Sequence, residues 1–145
     1  MLTKDDVSDF MQLVSDTEPL TSFDMSYQTP QEFVTEFADA MDQDLDKPWS
    51  KDCDLGNFRM DLIREEMFEA CDALDAEHML KELADLVYVT YGYAATFGWD
   101  LDEAVSRVHQ SNMSKLLDDG EPLKDSRGKV MKGPNYQKAK LGDLV

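Results

Sequence analysis

The sequence predicts an all-α chain, a bundle of four or five helices followed by a basic C-terminal arm. Three observations lead there. Apolar residues recur at helical spacing in successive segments, as Val7, Phe10, Met11 and Val14 do. Glycine and proline are sparse until the last quarter of the chain, so little interrupts a helix. Recognisable helix starts precede the periodic stretches, "TPQEF" at 29–33 and "DLDE" at 100–103 among them.

The elements follow in order. Residues 5–15 read as one amphipathic helix, and residues 16–28, with Pro19, as a linker. Thr29 is set as an N-cap, with Pro30 at the first helical position and Glu32 closing a capping box. Phe33, Val34, Phe37, Ala38 and Met41 then line one face. Residues 42–57 are acidic, contain Pro48 and Gly56, and read as a loop. A helix is expected from about residue 58 to 74, a break near 75–77, and a second helix from about 78 to 97. This last helix is apolar nearly all round after Lys81, which predicts burial in the middle of the bundle. Gly98 ends it, and Asp100 caps a further helix carrying Leu101, Ala104, Val105, Val108, Asn112 and Leu116 on one face. The remainder, "KDSRGKVMKGPNYQKAKL", reads as a loop or short hairpin. By size the chain is a single compact domain. Its parts are a helical N-terminal extension with an acidic loop over 1–57 and a core with its arm over 58–145.

Charge narrows the function. The net charge is −17. Residues 1–114 hold 7 Lys/Arg against 26 Asp/Glu, whereas residues 115–145 hold 7 against 5. An acidic body argues against nucleic acid as a partner, which needs a positive field. No apolar run is long enough to span a membrane, and no signal peptide is evident. Cys53 and Cys71 form neither a metal spacing nor a disulfide framework, which predicts a reduced, cytoplasmic protein.

Most of the acids suit a solvated surface, but four do not. At 100° per residue, Glu66 and Glu69 fall within about 40° of Leu62, inside the apolar stripe of their helix. On the following helix Glu82 shares a face with Leu86, Val89 and Tyr93, and Asp85 sits at the edge of that face. Each pair has i, i+3 spacing, which places two side chains a turn apart on one face. A short break makes the helices antiparallel neighbours, so the two faces can meet. Carboxylates about 4 Å apart repel by roughly 4 kcal/mol per pair at an effective dielectric near 20, and desolvation adds to this. Arg59, Arg64 and Lys81 are too few cations to offset four acids. A divalent ion resolves the conflict, and an all-oxygen donor set suits Mg²⁺ or Mn²⁺ rather than zinc. The competing reading is that the helices are rotated and the acids face water.

"EEMFE", twelve residues, then "ELAD" resembles the EExxE…ExxD signature of the all-α nucleoside triphosphate pyrophosphohydrolases. That superfamily includes MazG-like enzymes, dimeric dUTPases and phosphoribosyl-ATP pyrophosphohydrolases. The later "GKVMKGPNY" looks like the arm of the MazG-like branch, so the resemblance runs over residues 58–141 and does not extend to 1–57. It implies that Glu66, Glu69, Glu82 and Asp85 bind about two or three Mg²⁺ (or Mn²⁺) ions. It further implies that Glu65 holds an extra ion or positions the attacking water, which makes Glu65, Glu66 and Glu69 the catalytic set. Asn112 and Lys115 match residues facing the nucleotide, and Lys132 and Tyr136 match an arm that contacts phosphate and nucleoside. Independently of that resemblance, Arg127, Lys129 and Lys132 supply the charge-assisted donors a triphosphate needs. The implied reaction is (d)NTP plus water to (d)NMP plus pyrophosphate, with deoxynucleoside triphosphates as the favoured substrate. A homodimer or homotetramer is implied as well, in keeping with the apolar outer side expected for the helix around residues 88–97. Two rivals remain, phosphoribosyl-ATP as the substrate and a non-enzymatic acidic module that mimics DNA.

Overall fold

The computed structural model describes residues 28–145 and contains four α-helices. They are α1 (Pro30–Ala40), α2 (Asp54–Cys71), α3 (Ala76–Thr96) and α4 (Leu101–Met113). No strand forms among the described residues, and the chain is all-α. The helix expected over residues 5–15 lies outside the described residues.

Local sequence explains where each helix starts. Thr29 and Glu32 form the reciprocal capping box, with Pro30 in the first turn. Asp75 accepts the His78 N–H and Asp100 accepts the Glu103 N–H, both at 2.9 Å. α2 begins earlier than expected because Cys53 acts as its cap, its Sγ accepting from Gly56 N–H at 3.3 Å. Gly56, assigned to the loop from sequence, is therefore helical and buried. A β-carbon there would stand 2.9 Å from Cys53 Sγ, so only glycine lets the first turn close onto its own cap.

α3 is the spine. It packs most extensively against α2 and also against α1, while α1 touches α4. The core gathers Val34, Tyr91 and Ala95, with Leu45 and Leu101 against them. The loop after α1 closes over the C-terminal end of α3, where Lys47 N–H donates to Thr96 O at 2.8 Å. Gly98 ends α3 at φ +70, and Trp99 N–H returns to Ala94 O at 3.0 Å.

The expectation that α3 is buried all round holds only for its C-terminal half. Tyr91, Ala94, Ala95 and Thr96 are buried, but Leu80 is 69% exposed and Leu83 and Val87 are exposed with it. The reason is geometric: α1 and α2 cover only part of α3, and no other described helix lies over the side bearing these three residues.

The chain after α4 forms no regular strand. Two isolated antiparallel bridges, Leu116 with Pro122 and Lys124 with Val130, make it hairpin-like. It is pinned to α4: Ser111 Oγ donates to Gln137 O at 2.7 Å, and Arg107 makes a two-pronged ion pair with Asp143 at 2.7 and 2.9 Å.

Candidate active site

α2 and α3 are joined by a link of four residues, 72–75, which makes them antiparallel neighbours. Their facing sides bring three of the four singled-out acids together. One carboxylate oxygen from each of Glu66, Glu69 and Glu82 lies within 4.8 Å of the other two. Glu82 is only 2% exposed, as its apolar face predicts. Glu66 is half-buried, but Glu69 is exposed, contrary to its expected place inside the apolar stripe of its helix.

Glu82 has two unlike oxygens. Oε1 receives Lys81 Nζ at 3.0 Å and His78 Nε2 at 3.1 Å. Oε2 is buried without any hydrogen-bond partner. A buried carboxylate oxygen left unpaired costs heavily unless a cation or donor meets it. His78 Nδ1 accepts the Leu74 N–H at 3.3 Å, so the ring hydrogen sits on Nε2, facing Glu82. The pKa of Glu66 is raised, first by loss of hydration and then by repulsion from Glu69, Asp85 and Glu82, with Lys81 opposing.

Asp85 does not join the close group. Lys81 Nζ holds its Oδ2 at 2.7 Å. Glu65 is exposed on α2 and also stands outside the group. His78 and Lys81 were not foreseen as part of the site. The signal was present, since His78–Glu82 and Lys81–Asp85 are both i, i+4 pairs on one helix.

The residues expected to meet the nucleotide form a second centre. Lys115, Lys129 and Lys132 line a cavity of about 340 Å³ together with Val130 and Met131. Asn112 Oδ1 accepts from Lys115 Nζ at 2.7 Å. The Lys132 ammonium sits 4.4 Å from the centre of the Tyr136 ring. The Tyr136 phenol is shifted down by its hydrogen bond with Ser111, and further by the charges of Lys132 and Lys115. Gly133 permits the close approach of this segment to the chain just after α4, because a β-carbon would lie 3.0 Å from Lys115 O. Arg127 is exposed in a turn in which its N–H and that of Lys129 both donate to Asp125 Oδ1 at 2.9 Å. Among the described residues, no hydrogen bond or ion pair links this basic centre to the acids of α2 and α3.

Residues 34–112 match the family model described as phosphoribosyl-ATP pyrophosphohydrolase. The match takes in most of α1, then α2, α3 and nearly all of α4, and so includes the whole acidic centre. It begins well before residue 58, where the resemblance read from sequence began, and it stops short of the "KGPNY" arm. A comparison with curated proteins gives no match. With more than half of its length matched, the chain belongs to the phosphoribosyl-ATP pyrophosphohydrolase family, a group of all-α hydrolases acting on nucleotides.

Proposed function

We propose that the protein is a metal-dependent pyrophosphohydrolase of deoxynucleoside triphosphates. The observation that carries this reading is the buried Glu82, whose Oε2 has no hydrogen-bond partner and whose carboxylate stands in one close group with those of Glu66 and Glu69. A divalent ion fits these residues. The donors are all hard oxygens, one of them has no other partner, and Lys81 offsets only part of their mutual repulsion. Glu66, Glu69 and Glu82 would hold it, with Asp85 one turn along α3. The chemistry such an ion supplies is neutralisation of phosphate charge and activation of a water.

The chain's own residues do the rest. Glu66, a carboxylate in the close group, is assigned to accept a proton from the attacking water. Glu69 supports the site from the same helix, one turn along from Glu66, and Glu65, exposed on α2, is assigned to position the water. Lys115, Arg127, Lys129 and Lys132 bind phosphate oxygens, and Asn112 and Tyr136 orient the nucleoside. The reaction adds water across the α–β phosphoanhydride bond and releases pyrophosphate.

Among the described residues no hydrogen bond or ion pair joins the basic centre to the acids, which favours a site shared between two copies. A homodimer or homotetramer that covers Leu80, Leu83 and Val87 would also remove an exposed apolar stripe from water. Assignment to the MazG-like branch rests on the "KGPNY" arm. A second reading, phosphoribosyl-ATP as substrate, is favoured by the family match itself. The deciding experiment offers Mg²⁺ with a panel of dNTPs, NTPs and phosphoribosyl-ATP and measures pyrophosphate. Preference for a dNTP supports the first reading, and turnover of phosphoribosyl-ATP alone replaces it with the second.

A further inference from the structure

The nearest cation to the acidic group is Lys81, which the proposed chemistry leaves unused. Its ammonium bridges Glu82 Oε1 at 3.0 Å and Asp85 Oδ2 at 2.7 Å. Of the four acids expected to bind metal, Asp85 is the one outside the close group of Glu66, Glu69 and Glu82. The two facts are connected: the carboxylate of Asp85 is turned onto Lys81. Glu82 does not depend on Lys81 alone, since His78 Nε2 lies at 3.1 Å from the same oxygen. The Lys81 side chain is 61% exposed. Its four-carbon stem can therefore carry the charge out into water without disturbing the core.

We propose that Lys81 is an internal counter-cation that competes with the divalent ion, holding Asp85 off the acidic group until the metal displaces it. This rests on the metal-dependent reading above. Before metal binds, Lys81 offsets part of the repulsion among the acids. Once metal binds, its positive charge is unfavourable, and Asp85 is free to complete the ligand set. Lys81 is thus a positioning residue that sets metal affinity, in contrast to a cation that would touch phosphate.

The test uses the full-length chain and Mn²⁺ alone, titrated by the electron paramagnetic resonance signal of the free ion. Lys81→Met should lower the melting temperature of the metal-free protein. It should also tighten Mn²⁺ binding by about three- to tenfold, the range for one partly exposed charge beside a site. Adding Asp85→Asn to Lys81→Met should cancel the gain. A residue with a merely structural role would not tighten binding. Mn²⁺ affinity that is unchanged or weaker in Lys81→Met overturns the proposal, and so does unchanged affinity with a loss of pyrophosphate binding, which would make Lys81 a phosphate ligand. No Mn²⁺ binding by the unmodified protein overturns the metal reading itself. Lys81→Gln, which keeps a polar head without charge, serves if the Met variant does not fold.

Discussion

His78 Nε2 lies 3.1 Å from Glu82 Oε1, one helical turn earlier on α3. The other ring nitrogen accepts the Leu74 N–H, so the ring is fixed from both sides. This clamp turns one oxygen of Glu82 toward His78 and leaves the other, Oε2, without a hydrogen-bond partner. His78→Ala should therefore weaken Mn²⁺ binding by about tenfold, as loss of a partner that orients a ligand does. His78→Gln, whose amide can reach the Nε2 position, should recover part of it. Calorimetric titration checks both. Equal affinity in all three proteins would show that His78 does not orient Glu82 for the metal.

Glu66 gives a pH dependence of defined sign. Its pKa in the folded protein is raised above the ordinary 4.5. Between those two values the folded state binds more protons than the unfolded state, so stability falls as pH rises through that window. Above the folded pKa the penalty is fully present. Glu66→Gln removes it, so the variant should gain stability over the metal-free parent on the high-pH side and match it below the ordinary value. Melting curves in chelator from about pH 4 to about pH 8 read the difference. A constant gap across that range would contradict the assignment.

Gly98 should not tolerate a side chain. Its φ is +70, and a β-carbon would stand 2.7 Å from Asp46 Oδ1. Gly98→Ala is expected to cost about 1–3 kcal/mol, from left-handed backbone strain and displacement of the loop that closes α3. Urea unfolding measures it.

The apolar stripe on α3 predicts self-association. Leu83→Glu should shift the mass measured by light scattering toward a smaller species, while the helix content seen by circular dichroism stays the same. If oligomerisation completes the site, pyrophosphate release should fall along with the mass. An unmodified chain that is monomeric at every concentration tested would contradict this.

Much of this was legible from short-range pattern. Thr29 with Glu32, and Asp100 before its helix, could be read because a cap acts within one turn. Glu82 could be read as buried because its face is otherwise apolar. The position of Asp85 could not, because its spacing suits the acidic group and Lys81 equally well, and only the side-chain arrangement decides between them. Cys53 as a cap was missed because sulfur is an uncommon cap acceptor. The exposed half of α3 was misjudged because an apolar helix looks the same whether its cover comes from its own chain or from another. The docking of the C-terminal segment on α4 depends on long-range pairs, Ser111 with Gln137 and Arg107 with Asp143, which no local pattern encodes.

The most direct test of the central claim is pyrophosphate release from a nucleotide panel, with Mg²⁺ or with chelator, by the unmodified chain and by Glu82→Gln. Release that requires Mg²⁺ and drops by about a hundredfold or more in Glu82→Gln is expected, because the variant keeps the shape of the buried site and removes its charge. Release that persists in chelator, or that is unaffected in Glu82→Gln, would contradict a metal-dependent site built on Glu66, Glu69 and Glu82.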